Sequence, residues 1–175
     1  TGITFFFLGL TGIILGILFL PAYQKQRVVS FLNPENDPLG AGYNITQSKI
    51  AIGSGMWLGK GFGAGEQTRL KFLPERHTDF IFSSFAESSG FLGVTALLFL
   101  YTIFFILLRK KITKAEDGFN FLLKIALLFQ LWFQTTINIG MNLGIFPVAG
   151  VPLPFFSYGG SSLIANFITL AFLLK

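Results

Sequence analysis

The sequence predicts an all-α protein, a polytopic bundle of membrane-spanning helices. Composition points there first: 52% of the 175 residues are hydrophobic, only 12% are charged, and the mean hydropathy is +0.66. Soluble domains carry roughly a quarter charged residues, so a polar shell cannot be built from this mixture. Long apolar runs come next, several approaching the roughly 20 residues that cross bilayer hydrocarbon. Proline placement agrees. Pro21, Pro34, Pro38, Pro74, Pro147, Pro152 and Pro154 all lie between the apolar runs or at their edges, where a helix can end without losing an internal hydrogen bond.

Four spans follow in order, at about residues 3–20, 79–108, 119–144 and 160–175, the last of them cut short. The first contains Gly12-x-x-x-Gly16, and Gly140-x-x-x-Gly144 closes the third; both are helix-contact spacings. Pro74-Glu75 reads as a helix start, with proline in the first turn and an acid near the positive end of the dipole. Ser161 or Ser162 is placed to cap the final helix. Arg109, Lys110, Lys111 and Lys114 crowd the turn between the second and third spans, which assigns that turn to the cytoplasm. The basic residues of 21–78 are spread too thinly to outweigh it. Segments 21–78 and 145–159 then lie together outside, the former as a large ordered loop. With an apolar start, no basic leader and an unfinished last span, the chain reads as a fragment of a larger membrane protein.

Several function classes drop out. There is no cysteine, hence no disulfide framework and no thiolate-held zinc, and the single histidine, His77, excludes multi-histidine metal sites. An oxygen-liganded divalent ion remains open. The net charge of +5 suits anionic headgroups or phosphates, but no basic run or motif points to nucleic acid. The glycine series GSGMWLGKGFGAG fits neither phosphate-binding fingerprint: Ser54 stands where the first P-loop glycine should be and Gly61 where Ser or Thr should follow Lys60. Close backbone packing explains it better than a nucleotide.

The chemistry concentrates at LPERHTDFIF, residues 73–82, where Glu75, Arg76, His77 and Asp79 sit at the mouth of the second span. Ionised groups at a membrane surface or within it usually mark a site. On a helix, Asp79, Ser83, Glu87 and Gly90 fall within about 80° of one another. Asp79 and Glu87 are on the order of 12 Å apart along the axis, too far for two carboxylates flanking one glycosidic bond, which sit roughly 5–9.5 Å apart. Asp79 is therefore the candidate single base and Glu87 its support; the bland reading is an interfacial Asp that caps a helix or pairs with Arg76. Segment 145–162, with three prolines before Ser157, Tyr158 and a Gly-Gly-Ser-Ser turn, reads as tightly turned backbone walling a cavity. Ser157 has no partner arrangement for a nucleophile.

Three stretches carry a family resemblance: FLNPENDPLGAGYNITQSKIAIGSG (31–55), GKG…GEQTRLKFLPERHTDFIFSSFAE (59–87) and PLPFFSYGGSS (152–162). Together they resemble the SEDS family of polytopic cell-wall polymerases, of the RodA type, over essentially the whole chain. The resemblance implies that Asp79, the Asp of HTDF, is the essential carboxylate of a peptidoglycan glycosyltransferase. The implied substrates are lipid II and the growing glycan strand, joined on the outer face of the bacterial cytoplasmic membrane during cell elongation. Ala149, in the Pro147-Val148-Ala149-Gly150 turn, favours the elongation branch over the division branch, which often has Lys there. Ser88 replaces the second Glu usual after HTDF, and Met56 replaces a common Gly.

Both lines lead to one expectation. Asp79 acts as base, with a divalent cation (Mg or Mn) held partly by Asp79 as a candidate cofactor and no nucleotide required. Arg27, Lys60, Arg69, Arg76, His77, Ser157 and Tyr158 are candidate substrate contacts, with Glu75 and Glu87 supporting. The implied partners are membrane lipids and a class B penicillin-binding protein, a transpeptidase with one membrane helix. The alternatives are a lipid II flippase or a non-catalytic scaffold of the cell-wall machinery. The 175-residue piece alone is expected to be inactive.

Overall fold

The computed structural model describes residues 21–34, 37, 40–70, 72–73, 75–112 and 118–175. The expected first span, with its Gly12-x-x-x-Gly16 face, lies outside the described residues, as do Pro74 and Lys114. Every regular element among the described residues is an α-helix: α1 (Ala22–Leu32), α2 (Ala41–Ser54), α3 (Glu66–Arg69), α4 (Ile81–Ile112), α5 (Gly118–Asn142) and α6 (Gly160–Leu174). Two of them, α4 and α5, are long and apolar enough to cross a membrane, and α6 is a shorter apolar helix.

These three pack on one another. Leu108, Ile112, Leu131 and Leu173 form their shared core, flanked by Phe104, Phe105, Leu127 and Leu170. The segment expected as an outer loop holds three helices of its own. Helix α2 packs against α4 and α5, and α1 packs on α2. A second core of Ile45, Leu73, Phe80 and Val148, with Phe31 and Ala41 against it, ties α1 and α2 to the turns around residues 73–80 and 148. Loss of one such fully buried large side chain costs about 2–5 kcal/mol.

Helix α4 is two helices merged across a break at Gly90, whose φ of 64° and ψ of −166° are not helical. Such a break strands backbone groups on both sides, and segment 55–61 supplies their partners. The amides of Phe91 and Leu92 donate to the carbonyls of Met56 (2.7 Å) and Trp57 (3.1 Å), while Lys60 and Gly61 donate to the carbonyls of Glu87 (2.9 Å) and Ser88 (3.0 Å). Contact this close leaves no room for side chains. A Cβ at Gly55 would overlap the Ala86 carbonyl, and one at Gly59 (φ 78°) would overlap that of Ser88. Backbone packing thus accounts for Gly55 and Gly59, whereas Gly53, Gly61 and Gly63 face open space.

Two local expectations are corrected. No helix starts at Glu75: residues 75–80 are turns, Glu75 has a positive φ of 50°, and α4 begins at Ile81. Neither serine caps α6: Gly159 occupies the cap, and the Ser162 hydroxyl donates to the Gly159 carbonyl at 3.0 Å. The Gly140–Gly144 face is covered by the chain itself, since a Cβ at Gly140 would strike the Phe146 ring and one at Gly144 the Lys49 side chain.

Candidate active site

At the end of the bundle where α4 begins, a cavity of about 350 Å³ is lined by Tyr23, Arg27, Asp37, Glu75, Asp79 and Val148 among others. Larger cavities of about 430 and 560 Å³ lie between α4 and α5, but apolar side chains such as Phe105 and Trp132 line them. The polar cavity is the candidate site for chemistry.

Asp79 is fixed through its backbone. Its carbonyl accepts hydrogen bonds from the side-chain amides of Asn138 and Asn142, both at 3.0 Å. These residues stand one turn apart on α5, and both are fully buried. Asn138 also donates to Val151 (2.8 Å), tying the 147–157 segment to the same point. The Asn142 carboxamide oxygen accepts from the Ser83 amide at 3.2 Å and from its hydroxyl, so it caps the first turn of α4 from another helix. Ser48 of α2 completes the cluster: its hydroxyl donates to the Asn142 carbonyl (2.6 Å) and lies 2.5 Å from that of Ser83. Sequence reading missed both asparagines. Their signal was Asn-x-x-x-Asn inside an apolar span, where polar amides are rare without a partner.

The Asp79 carboxylate is left free to face the cavity. Burial, then the Glu75 charge, push its pKa above the ordinary value, while Arg27 opposes them. Arg27 is itself held in place: its guanidinium donates to the Val148 carbonyl (2.7 Å) and to the Tyr23 hydroxyl, and lies 4.4 Å over the Tyr23 ring. Gly150, with φ of 67°, comes close to both charges. A Cβ there would stand 3.4 Å from Asp79 Oδ2 and 3.8 Å from an Arg27 nitrogen. Asp37 closes the far side. Its carboxyl is held below its ordinary value chiefly by the Ser30 hydroxyl, which donates to it at 2.7 Å.

The remaining candidates divide clearly. Glu75 lines the cavity beside Asp79, and the Thr78 hydroxyl donates to its carboxylate at 3.0 Å. Arg76 donates from Nε to His77 Nε2 (3.0 Å) and from its guanidinium to the Thr68 carbonyl; neither Arg76 nor His77 lines the cavity. Ser157 spends its hydroxyl on backbone: it donates to the Thr78 carbonyl and accepts from the Leu153 amide, both at 2.7 Å. The Tyr158 amide donates to the His77 carbonyl (2.8 Å), while its ring points away, 82% exposed. Ser157 and Tyr158 thus brace the 77–78 backbone. Lys60 forms a 3.9 Å ion pair with Glu66, and both Lys60 and Arg69 lie on the 60–69 segment, away from the cavity. Glu87 is fully buried and accepts from the amides of Gln67 (2.9 Å) and Thr68 (3.0 Å) and from the Thr68 hydroxyl (2.6 Å). It pins α3 onto α4.

No group of three His, Asp or Glu able to hold a metal occurs among the described residues. Asp37, Glu75 and Asp79 are the described carboxylates that line this cavity, so a divalent ion here would draw on Asp79 and its neighbours and take other ligands from substrate phosphates or water.

Comparison with known proteins agrees with this architecture. The model of the FtsW/RodA/SpoVE family, described as "cell cycle protein", matches residues 2–175. The peptidoglycan glycosyltransferase MrdB of Escherichia coli K12 is 50% identical over 151 residues, covering 86% of this chain and 41% of the relative. The peptidoglycan glycosyltransferase RodA of Treponema pallidum is 42% identical over 162 residues, covering 93% of this chain and 37% of the relative. A solved chain from a peptidoglycan synthase complex, described as coordinating polymerization and crosslinking, superimposes with a TM-score of 0.76 at 35% identity, covering 98% of this chain and 47% of that one. The chain therefore spans somewhat less than half the length of these relatives. With a match running from residue 2 to 175 and relatives this similar, the chain belongs to the FtsW/RodA/SpoVE family of cell cycle proteins.

Proposed function

We propose that this chain is the catalytic C-terminal part of a RodA-type peptidoglycan polymerase that joins lipid II units into glycan strands during cell elongation. One observation carries the reading: a half-buried Asp79 with a raised pKa lies with Arg27 close to Gly150 in a polar cavity, on a backbone clamped by two asparagines. A carboxylate whose pKa is raised is a stronger base, and its protonation state is nearer balance at working pH. Asp79 takes the proton of the acceptor sugar hydroxyl. The freed oxygen bonds to the anomeric carbon of the lipid-linked donor, and the bond from that carbon to the pyrophosphate breaks.

The departing pyrophosphate carries its own negative charge, so it needs a cation positioned in advance. Arg27 is the cation that lines the cavity. Three carboxylates, Asp37, Glu75 and Asp79, line the cavity with it, so further positive charge would come from the part of the polymerase this chain does not span, or from Mg or Mn, which Asp79 would help to hold. Proton transfer to Asp79 needs no metal, and the pyrophosphate leaving group makes a nucleotide unnecessary. The site faces outward from the bacterial cytoplasmic membrane, where a class B penicillin-binding protein crosslinks the new strand.

A flippase would need acids along a path across the bundle. Glu87, the acid within α4, is engaged by Gln67 and Thr68, which favours chemistry at one face. Purified full-length protein in detergent micelles, where there are no two sides to transport between, separates the readings. Polymerisation of lipid II into long strands is expected. No polymer in micelles, together with lipid II translocation in vesicles, would replace polymerase with flippase.

A further inference from the structure

We propose that segment 56–62 is an interfacial membrane anchor, seated in the headgroup–acyl boundary of the leaflet on the Asp79 side, which sets the height of the catalytic cavity above the bilayer. In seven residues it displays Met56 (77% exposed), Trp57 (69%), Leu58 (77%) and Phe62 (84%). Large apolar side chains this exposed on a short glycine-rich loop are costly in water and suited to an interface, where Trp in particular concentrates. Nothing in the proton-transfer chemistry uses them.

Their level along the bundle identifies what they meet. Segment 56–61 is hydrogen-bonded to the break in α4, and the Trp57 ring packs edge-to-face on Phe91 at 5.1 Å. From Phe91 to Arg109, the first charge of the basic end, helical rise covers about 27 Å, close to the roughly 30 Å of bilayer hydrocarbon. With Arg109 at one boundary, Phe91 lies at the other. Burial changes at the same place. Phe82, Ser83, Ala86, Glu87 and Gly90 are buried in protein, whereas Phe91, Leu92, Phe99, Leu100 and Leu107 are more than half exposed, as lipid-facing residues must be. The exposed loop therefore sits where the lipid-facing surface starts. Within the loop, Lys60 pairs with Glu66 at 3.9 Å, and Asp79 lies on the order of 15 Å further out. The hydrogen bonds at Gly90 transmit the loop's depth to the first half of α4, which positions Asp79.

Nitroxide labels at Leu58→Cys and Phe62→Cys test this in the full-length protein in nanodiscs, with any other cysteines replaced. Labels at Ile103→Cys, on the lipid-facing part of α4, and Gln24→Cys, exposed on α1, provide references. Power saturation with oxygen and with a water-soluble nickel chelate should place positions 58 and 62 between these two, with oxygen the stronger relaxant, in either leaflet orientation. Stronger relaxation by the nickel chelate at both sites would put the loop in water. Weak relaxation by both reagents would put it under protein, whether the remaining spans or a partner. Either result overturns the anchor, and neither bears on polymerase activity.

Discussion

Replacing Asn142 with leucine removes a polar joint that the rest of the site depends on. The asparagine side chain accepts from the Ser83 amide (3.2 Å) and hydroxyl and donates to the Asp79 carbonyl (3.0 Å), and it has no exposure to solvent. Leucine has similar volume, so the loss is polar. The first turn of α4 loses its cap, worth about 1 kcal/mol, and a buried donor is left without an acceptor, at about 1–3 kcal/mol. A destabilisation of about 2–4 kcal/mol results. Asn138 still holds the Asp79 carbonyl, so the fold survives while the carboxylate loses its register. Misplacement of about 1 Å can cost on the order of 10²-fold in rate. The assay pairs thermal unfolding of the full-length protein in detergent with lipid II polymerisation well below the transition. Asn142→Leu should lower Tm by several degrees and reduce polymerisation far more than Asn138→Leu does. Wild-type Tm and rate in Asn142→Leu would refute the clamp.

Other perturbations read the same site. Burial and the Glu75 charge hold the Asp79 pKa above its ordinary value, so the acid limb of the pH–rate profile should move to lower pH in Glu75→Gln and to higher pH in Arg27→Gln; a limb indifferent to both would mean another group titrates. The same shift makes protonated Asp79 favourable to the fold below the unfolded-state pKa, a contribution lost as pH rises through the folded-state value. Glu87→Gln keeps one acceptor but loses charge-assisted bonds from the 67–68 segment, so unfolding should come easier by about 1–3 kcal/mol with most polymerisation retained below Tm; equal loss at Glu87 and Asp79 would revive a path through the bundle. Gly150→Ala puts a side chain at positive φ, at about 1–2 kcal/mol, and crowds the space beside Asp79 and Arg27; Tm should drop modestly while kcat, measured well below Tm, falls, and an unaffected kcat would place substrate elsewhere.

The sequence was most readable where one physical signal dominated. Hydropathy alone located α4, α5 and α6, because lipid exposure demands unbroken apolar runs; the two ends of α5 at Gly118 and Asn142 fall close to the expected 119–144. The charged turn at 75–79 was readable because charges at the mouth of a span are expensive. Helices α1 and α2 were hidden inside a presumed loop, since their residues answer to packing against neighbours far along the chain, as Ile45 does against Leu73, Phe80 and Val148. The break at Gly90 was invisible for the same reason: its partners are the carbonyls of Met56 and Trp57, more than thirty residues earlier. Nothing in the sequence signalled the backbone role of Ser157 and Tyr158: the Ser157 hydroxyl and the Tyr158 amide hold the 77–78 backbone.

Asp79→Asn in the full-length protein puts the central claim to the most direct test. Asparagine keeps the shape, and the backbone carbonyl still accepts from Asn138 and Asn142, so expression, membrane insertion and Tm should match the wild type. It cannot take up the acceptor proton, so purified lipid II should remain unpolymerised at every pH. Long glycan strands made at an appreciable rate by the Asp79→Asn protein would remove Asp79 from the chemistry.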